Sequence, residues 1–156
     1  SVGYPDEEGE SRVLLARVAR RHEVAQVEPV IDAATLTAMQ AGVEAVDVDP
    51  DIAAYCVRLA AATRAHRSVE VGASPRGSQG LLLVARALAV LDGRDFVLPD
   101  DVKAVAVPVL AHRLTLTVQA WTGGVGAEQV VREVVATVAG PPAVGVGRRA
   151  HADGRD

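Results

Sequence analysis

The stretch Gly72-Ala73-Ser74-Pro75-Arg76-Gly77-Ser78 holds the residues of this chain best placed to do chemistry. If Ser74 caps a helix, Pro75 is its first residue and Arg76 its second. A cation in the first turn opposes the helix dipole, at a cost of about 0.3–1 kcal/mol. The conflict vanishes when an anion sits at that helix end. Backbone N–H groups and a guanidinium then converge on one negative group such as a phosphate. Gly72, Ala73 and Gly77 are small enough to let another surface approach. The same residues also fit a plain exposed arginine with no partner, because first-turn penalties are small.

Other patterns that could carry chemistry are incomplete. Asp47-Val48-Asp49-Pro50-Asp51 begins like a calcium loop, but its sixth and twelfth positions are Ile52 and Arg58, where Gly and Glu are needed. Gly145-Val146-Gly147-Arg148-Arg149-Ala150 matches a loose dinucleotide fingerprint with no strand-rich unit before it. His22, His66, His112 and His151 lack the spacing of metal ligands and read as surface or interface histidines, so no metal site is expected. Ser78 follows Gly77 but lies in no nucleophile elbow. The only lysine, Lys103, stands between Val102 and Ala104, so the chain has no phosphate-cradling P-loop. With Cys56 the only cysteine, neither an internal disulfide nor a multi-cysteine metal site can form.

The elements that position these residues read as a succession of helices. Asp6, Glu7, Glu8 and Glu10 open the first, and Arg17, Arg20, Arg21 and His22 close it, which complements the dipole; Val13, Leu14 and Val18 form its apolar stripe. Glu28-Pro29 breaks the chain. Asp32 then caps a helix to about Val46, with Leu36, Met39, Val43 and Val46 at helical spacing. Asp47-Val48-Asp49 is a turn, and Asp49-Pro50 starts a helix to about His66 with Ile52, Tyr55, Cys56, Leu59 and Thr63 on one side. After the alternating Val69-Glu70-Val71-Gly72, the helix from Pro75 to about Leu91 is expected to bury Leu81, Val84, Ala85, Leu88 and Leu91, with Gly93 as its stop. Asp95 to Leu98 is extended, and Pro99-Asp100-Asp101 opens another helix with Val102, Val105, Val109 and Leu110 inward. Leu114 to Val118 suits a short strand, and Trp121 to Gly126 a loop. Ala127 to Val138 reads as a last helix, although Val130, Val131, Val134, Val135 and Val138 keep a strand open. Gly140-Pro141-Pro142 ends the ordered part, and the polar tail beyond is expected to be disordered.

Composition sets the frame. The chain has 156 residues, 49% hydrophobic, with a formal net charge of −4, which suits one globular domain with at most a short appendage. Aromatic content of 3% is too low for a single-strand stacking platform, and the acidic balance argues against a dedicated nucleic-acid binder. The longest apolar stretch, Leu81 to Leu91, is interrupted by Arg86, so no membrane span is expected. The first residues do not form a signal peptide, which makes a cytoplasmic location the expectation.

Taken together, several motifs resemble a family. Gly72-Ala73-Ser74-Pro75-Arg76, Gly93-Arg94-Asp95-Phe96-Val97, Pro99-Asp100-Asp101-Val102-Lys103, Val109-Leu110 and His112-Arg113-Leu114 look like the C-terminal part of the MoxR family of AAA+ ATPases. Gly3-Tyr4-Pro5 is similar to the segment just after the family's nucleotide-binding core. The resemblance runs over roughly residues 1 to 140 and is specific as a conjunction of motifs.

The resemblance implies a mainly α fold, a small helical bundle of the AAA+ lid type with at most one or two short strands. Residues 1–22 would be a linker helix leaving the core, 23–140 the helical lid, and 141–156 the tail. Arg76 maps onto the sensor-2 arginine, which reaches the γ-phosphate of ATP; Tyr4 and Pro5 fall near the hinge and the nucleotide base, or form an ordinary start of a helix. ATP and Mg would bind the full-length protein. The lid alone would hold neither tightly and would not hydrolyse ATP, since Walker A, Walker B, sensor 1 and the arginine finger do not occur here. Implied partners are the protein's own core, neighbouring subunits of a ring, and proteins with von Willebrand factor A domains. The chain departs from the family at Gly77, usually a small non-glycine residue, and at Leu98, usually a capping Ser or Thr. A competing reading is a winged-helix-like nucleic-acid module using Pro99 to Leu110, the Leu114–Val118 strand and a basic face of Arg64, His66, Arg67 and Arg76; a free-standing interaction domain is a third.

Overall fold

A computed structural model describes residues 3–20 and 27–142 of the chain. The expected helix end at Arg21 and His22, the Gly145–Ala150 fingerprint, His151 and the tail beyond Pro142 lie outside the described residues. The chain divides into two compact units, Ser1–Leu36 and Thr37–Asp156. Among the described residues the fold is mainly α, with seven helices and one two-stranded sheet.

In the first unit, α1 spans Glu7–Arg20, with Glu7, Glu8 and Glu10 in its first turn. Asp6 starts it: its Oδ1 accepts the Gly9 amide at 2.8 Å. The expected stripe of Val13, Leu14 and Val18 is solvent-exposed. Asp32 caps α2, Ala33–Glu44, which begins in the first unit and lies mostly in the second, its carboxylate accepting the Thr35 amide at 2.7 Å. Hydrogen bonds from Thr35 hold the Asp32 carboxyl below the usual carboxylate range. Contrary to the periodicity, α2 buries none of its residues, and Leu36 and Met39 are about half exposed.

The second unit holds the core. Helix α3, Pro50–Ala65, starts at Asp49, whose carboxylate accepts the Asp51 amide at 2.8 Å, and it buries Ile52, Tyr55, Cys56, Leu59, Ala60 and Thr63. Strand β1, Val69–Val71, leads to α4, Pro75–Leu91, and then α5, Pro99–Leu110. Helix α4 packs along α3 and α5, and the last helix, α7 (Ala127–Thr137), packs on α3 and α5. Its Val130, Val131 and Val134 are buried, and spacing of one and four residues makes one face of a helix, which decides against a strand. The core of these helices is filled by Ile52, Tyr55, Leu59, Leu81, Val102, Leu110 and Val131. No helix among the described residues is long and apolar enough to cross a membrane.

Three expectations need correction. On α4, Leu81, Ala85 and Ala89 are buried, but Val84 is 43% and Leu91 81% exposed. The buried line follows the small alanines that let α3 and α5 approach, and the larger residues flank it. The strand after the 3-10 turn Ala111–Arg113 is only β2, Thr115–Leu116, paired antiparallel to β1 with Val69 opposite Leu116 and Val71 opposite Thr115. Thr117 ends it by accepting the Ala120 amide at 3.2 Å and so capping α6, Val118–Thr122; Trp121 lies in that helix rather than in a loop. A threonine suits both a strand and a cap, and here the cap wins.

Candidate functional site

The loop before α4 is held by the C-terminal end of α3. The Thr63 hydroxyl, fully buried, donates to the Ala60 carbonyl at 2.7 Å and accepts the Ala73 amide at 3.0 Å. The next residue on α3, Arg64, donates from its guanidinium to the Ala73 carbonyl at 2.6 Å. Both polar groups of the Ala73 peptide frame are therefore taken by two consecutive residues of one helix. Gly72 lies so close to α3 that a Cβ there would meet the Arg64 backbone at 2.6 Å.

Ser74 stands at the cap position with extended backbone, but its side chain makes no capping bond; its carbonyl instead accepts the Gly77 amide at 2.7 Å. The small residues of this stretch serve the chain's own packing. A Cβ on Gly77 would lie 3.0 Å from the Ala73 Cβ and 3.3 Å from a Leu110 methyl, and one on Gly80 would lie 3.2 Å from a Val109 methyl. This tight seat of α4 on α5 accounts for the glycine at position 77.

Arg76 projects from the first turn of α4, exposed, with no acidic residue in that turn. Among the described residues it has no hydrogen-bond or ion-pair partner. Most other guanidinium groups of this unit are engaged: Arg58 on the Ala139 carbonyl, Arg64 on Ala73, Arg86 on Glu44, Arg94 on Asp101, Arg113 on the Val109 carbonyl and Arg132 on Glu128. Tyr4 and Pro5 belong to the first unit, ahead of α1, and both are exposed.

An AAA lid domain family model matches residues 61–134 of this chain, from the end of α3 into α7. Three relatives extend the match. Protein YeaC of Bacillus subtilis is 39% identical over 140 residues, covering 90% of this chain and 43% of that protein. Chaperone MoxR1 of Mycobacterium tuberculosis is 34% identical over 160 residues, covering 97% of this chain and 42% of that protein. Protein MoxR of Paracoccus denitrificans is 37% identical over 127 residues, covering 69% and 38%. A crystal structure of a provisionally assigned ATPase from Cytophaga hutchinsonii superposes with a TM-score of 0.70 at 28% identity, over 90% of this chain and 45% of that one.

The chain is an AAA lid of the MoxR family. It spans about two fifths of the length of the curated relatives it matches.

The second motif of this MoxR-family lid is architectural. Gly93, with φ of +72°, ends α4 in the left-handed region that glycine adopts freely. Arg94 then reaches across the turn to Asp101, with nitrogen–oxygen distances of 2.6 and 2.7 Å, and also donates to the Phe96 carbonyl at 3.1 Å. Asp101, 5% exposed, accepts the Leu98 amide at 2.7 Å as well. That bond is half of a capping box. Leu98 lacks the side-chain oxygen for the other half, and Asp101 starts α5 without it. Sequence reading missed the roles of Thr63, Arg64 and the Arg94–Asp101 pair. Only Asp101 carried a signal, an acid three residues after the cap position.

Two of the four residues of the basic face in the nucleic-acid reading are taken up by internal contacts. Arg64 is committed to Ala73, and His66 Nε2 lies 3.2 Å from Glu133 while its Nδ1 accepts the Ser68 amide at 3.2 Å. Hydrogen bonds from Gln129 and then His66 hold the Glu133 carboxyl below its usual range. His112 bonds the Pro108 carbonyl at 3.0 Å. Among the described residues no group of three or more His, Cys, Asp and Glu side chains could hold a metal.

Proposed function

We propose that this lid works as the nucleotide-sensing half of a MoxR-type ATPase, with Arg76 as the sensor-2 residue that contacts the γ-phosphate of ATP bound to the core of the full-length protein. The observation that carries this reading is Arg76 itself, an exposed cation without a partner among the described residues, in an acid-free first turn where the helix dipole disfavours it. A phosphate at that position satisfies the guanidinium and the positive end of the helix dipole together. In this reading Mg is held with the nucleotide phosphates by residues of the core in the full-length protein. In this reading Tyr4 and Pro5 lie toward the hinge and the nucleotide base of the full-length protein.

In the same reading the lid turns against the core as the γ-phosphate is lost, and neighbouring subunits of a ring sense the turn. The work done is chaperone-like assembly or activation of partner proteins, von Willebrand factor A domain proteins among them, in the cytoplasm. The lid alone is not expected to hydrolyse ATP, because the lysine and carboxylates of phosphoryl transfer are not among its motifs. The test is Arg76→Ala in the full-length protein. ATP turnover and nucleotide-dependent assembly should both fall; if neither changes, the sensor assignment is wrong.

A further inference from the structure

We infer that Thr63 and Arg64, at the end of α3, are the positioning residues of Arg76. The inference rests on the sensor reading of Arg76 and adds to it the device that aims the arginine. The chain from Ala73 to Arg76 contains no side-chain cap of its own, since Ser74 makes none. What fixes it is the Ala73 peptide frame, with its amide on Thr63 Oγ1 at 3.0 Å and its carbonyl on the Arg64 guanidinium at 2.6 Å. Gly72 brings this loop into contact with the Arg64 backbone, which shortens both bonds' reach.

The burial pattern points the same way. Thr63 and Asp101 are the buried polar or charged residues of the described chain, and each ties a loop to the helix that follows or precedes it. Asp101 serves the α4–α5 turn; Thr63 serves the start of α4. A valine would fill the Thr63 site equally well on volume, so the hydroxyl is there for its bonds. It satisfies the Ala60 carbonyl and the Ala73 amide at once. Losing it leaves a buried amide without a partner and lets the start of α4 shift. A guanidinium three residues beyond a shifted Ala73 misses a phosphate, and misplacement of about 1 Å is enough to cost rate.

The experiment is a double-mutant cycle on the full-length protein with Thr63→Val, Arg64→Met and Arg76→Ala, reading ATP turnover and KM. Arg64→Met keeps an apolar stem against Gly72, leaves the core intact and provides a second arm if Thr63→Val folds poorly. Each single variant is expected to lower turnover about tenfold, and Thr63→Ser should restore it. Each combined with Arg76→Ala should be no worse than Arg76→Ala alone, because the aiming residue has nothing left to aim. Losses that multiply in the double variants, or wild-type turnover in both Thr63→Val and Arg64→Met while Arg76→Ala is impaired, overturn the positioning role and leave the sensor reading standing. Wild-type turnover in Arg76→Ala removes the sensor reading and this inference with it.

Discussion

Arg94 holds Asp101 through both carboxylate oxygens, at 2.6 and 2.7 Å, across the turn that joins α4 to α5. The pair draws in the Leu98 amide, the Phe96 carbonyl and, on the solvent side, Asp92 at 3.0 Å. Paired with Asp101 first and Asp92 second, the guanidinium is held charged more firmly than a free arginine. The parallel bridge from Asp47 to Phe96 ties the chain before α3 to the same turn. One ion pair thus ties together the turn between α4 and α5.

Asp101→Ala should therefore be expensive. It strands the Leu98 amide and leaves a partly buried guanidinium with only the Phe96 carbonyl and the exposed Asp92, a loss of about 2–4 kcal/mol. Chemical denaturation of the lid measures it. A loss under about 1 kcal/mol would mean that solvent replaces the carboxylate easily.

Two glycine-to-alanine changes should move stability in opposite directions. Gly72→Ala puts a Cβ 2.6 Å from the Arg64 backbone and should cost about 1–3 kcal/mol. Gly42→Ala on exposed α2 meets nothing within 4 Å and should add about 0.5–1 kcal/mol through helix propensity. Denaturation midpoints of the two variants compare them directly, and equal shifts would refute the close approach of Gly72.

Stability and function should part company at Arg76. Replacing it by Glu puts a favourable charge at the start of α4 and should raise stability by about 0.3–1 kcal/mol, while nucleotide response in the full-length protein is lost. A thermal scan of the lid and a turnover assay of the whole protein give the two readings. Destabilisation by Arg76→Glu would mean that the arginine has a structural partner after all.

Cys56 should be inert at neutral pH and a liability at alkaline pH. It is 1% exposed, and burial pushes its thiol up to about 11 from an ordinary 9.0. A raised folded-state value favours the protonated thiol, so this stabilisation is complete below about pH 9 and is lost as pH rises through about 11. The buried Tyr55 phenol, also raised by burial, adds in the same sense. Native protein at pH 8 should react with a thiol reagent far more slowly than unfolded protein, and Cys56→Ala should flatten the alkaline loss of stability. Equal labelling rates would show that the α3 core opens freely.

Much of the local structure could be read from residue types. Asp49-Pro50 and Pro99 mark true helix starts, Asp32 caps α2, and Gly93 ends α4, because caps and stops depend on one or two residues and their own backbone. Thr117 was harder, since its β-branched side chain suits the end of a strand as well as the cap of α6.

By itself, the sequence determined the run of helices and the odd placement of Arg76, which follow from spacing within a few residues, and it carried the resemblance to MoxR lids in several motifs that follow one another along the chain. Only the tertiary structure decided which faces are buried, leaving Val84, Leu91, Leu36 and Met39 outside while Ala85 and Ala89 are enclosed. It also decided that Thr63 and Arg64 hold Ala73 and that Arg94 holds Asp101. Periodicity marks an apolar stripe without saying which neighbour covers it. A hydrogen bond between helices exists only once packing brings the two backbones to the same place.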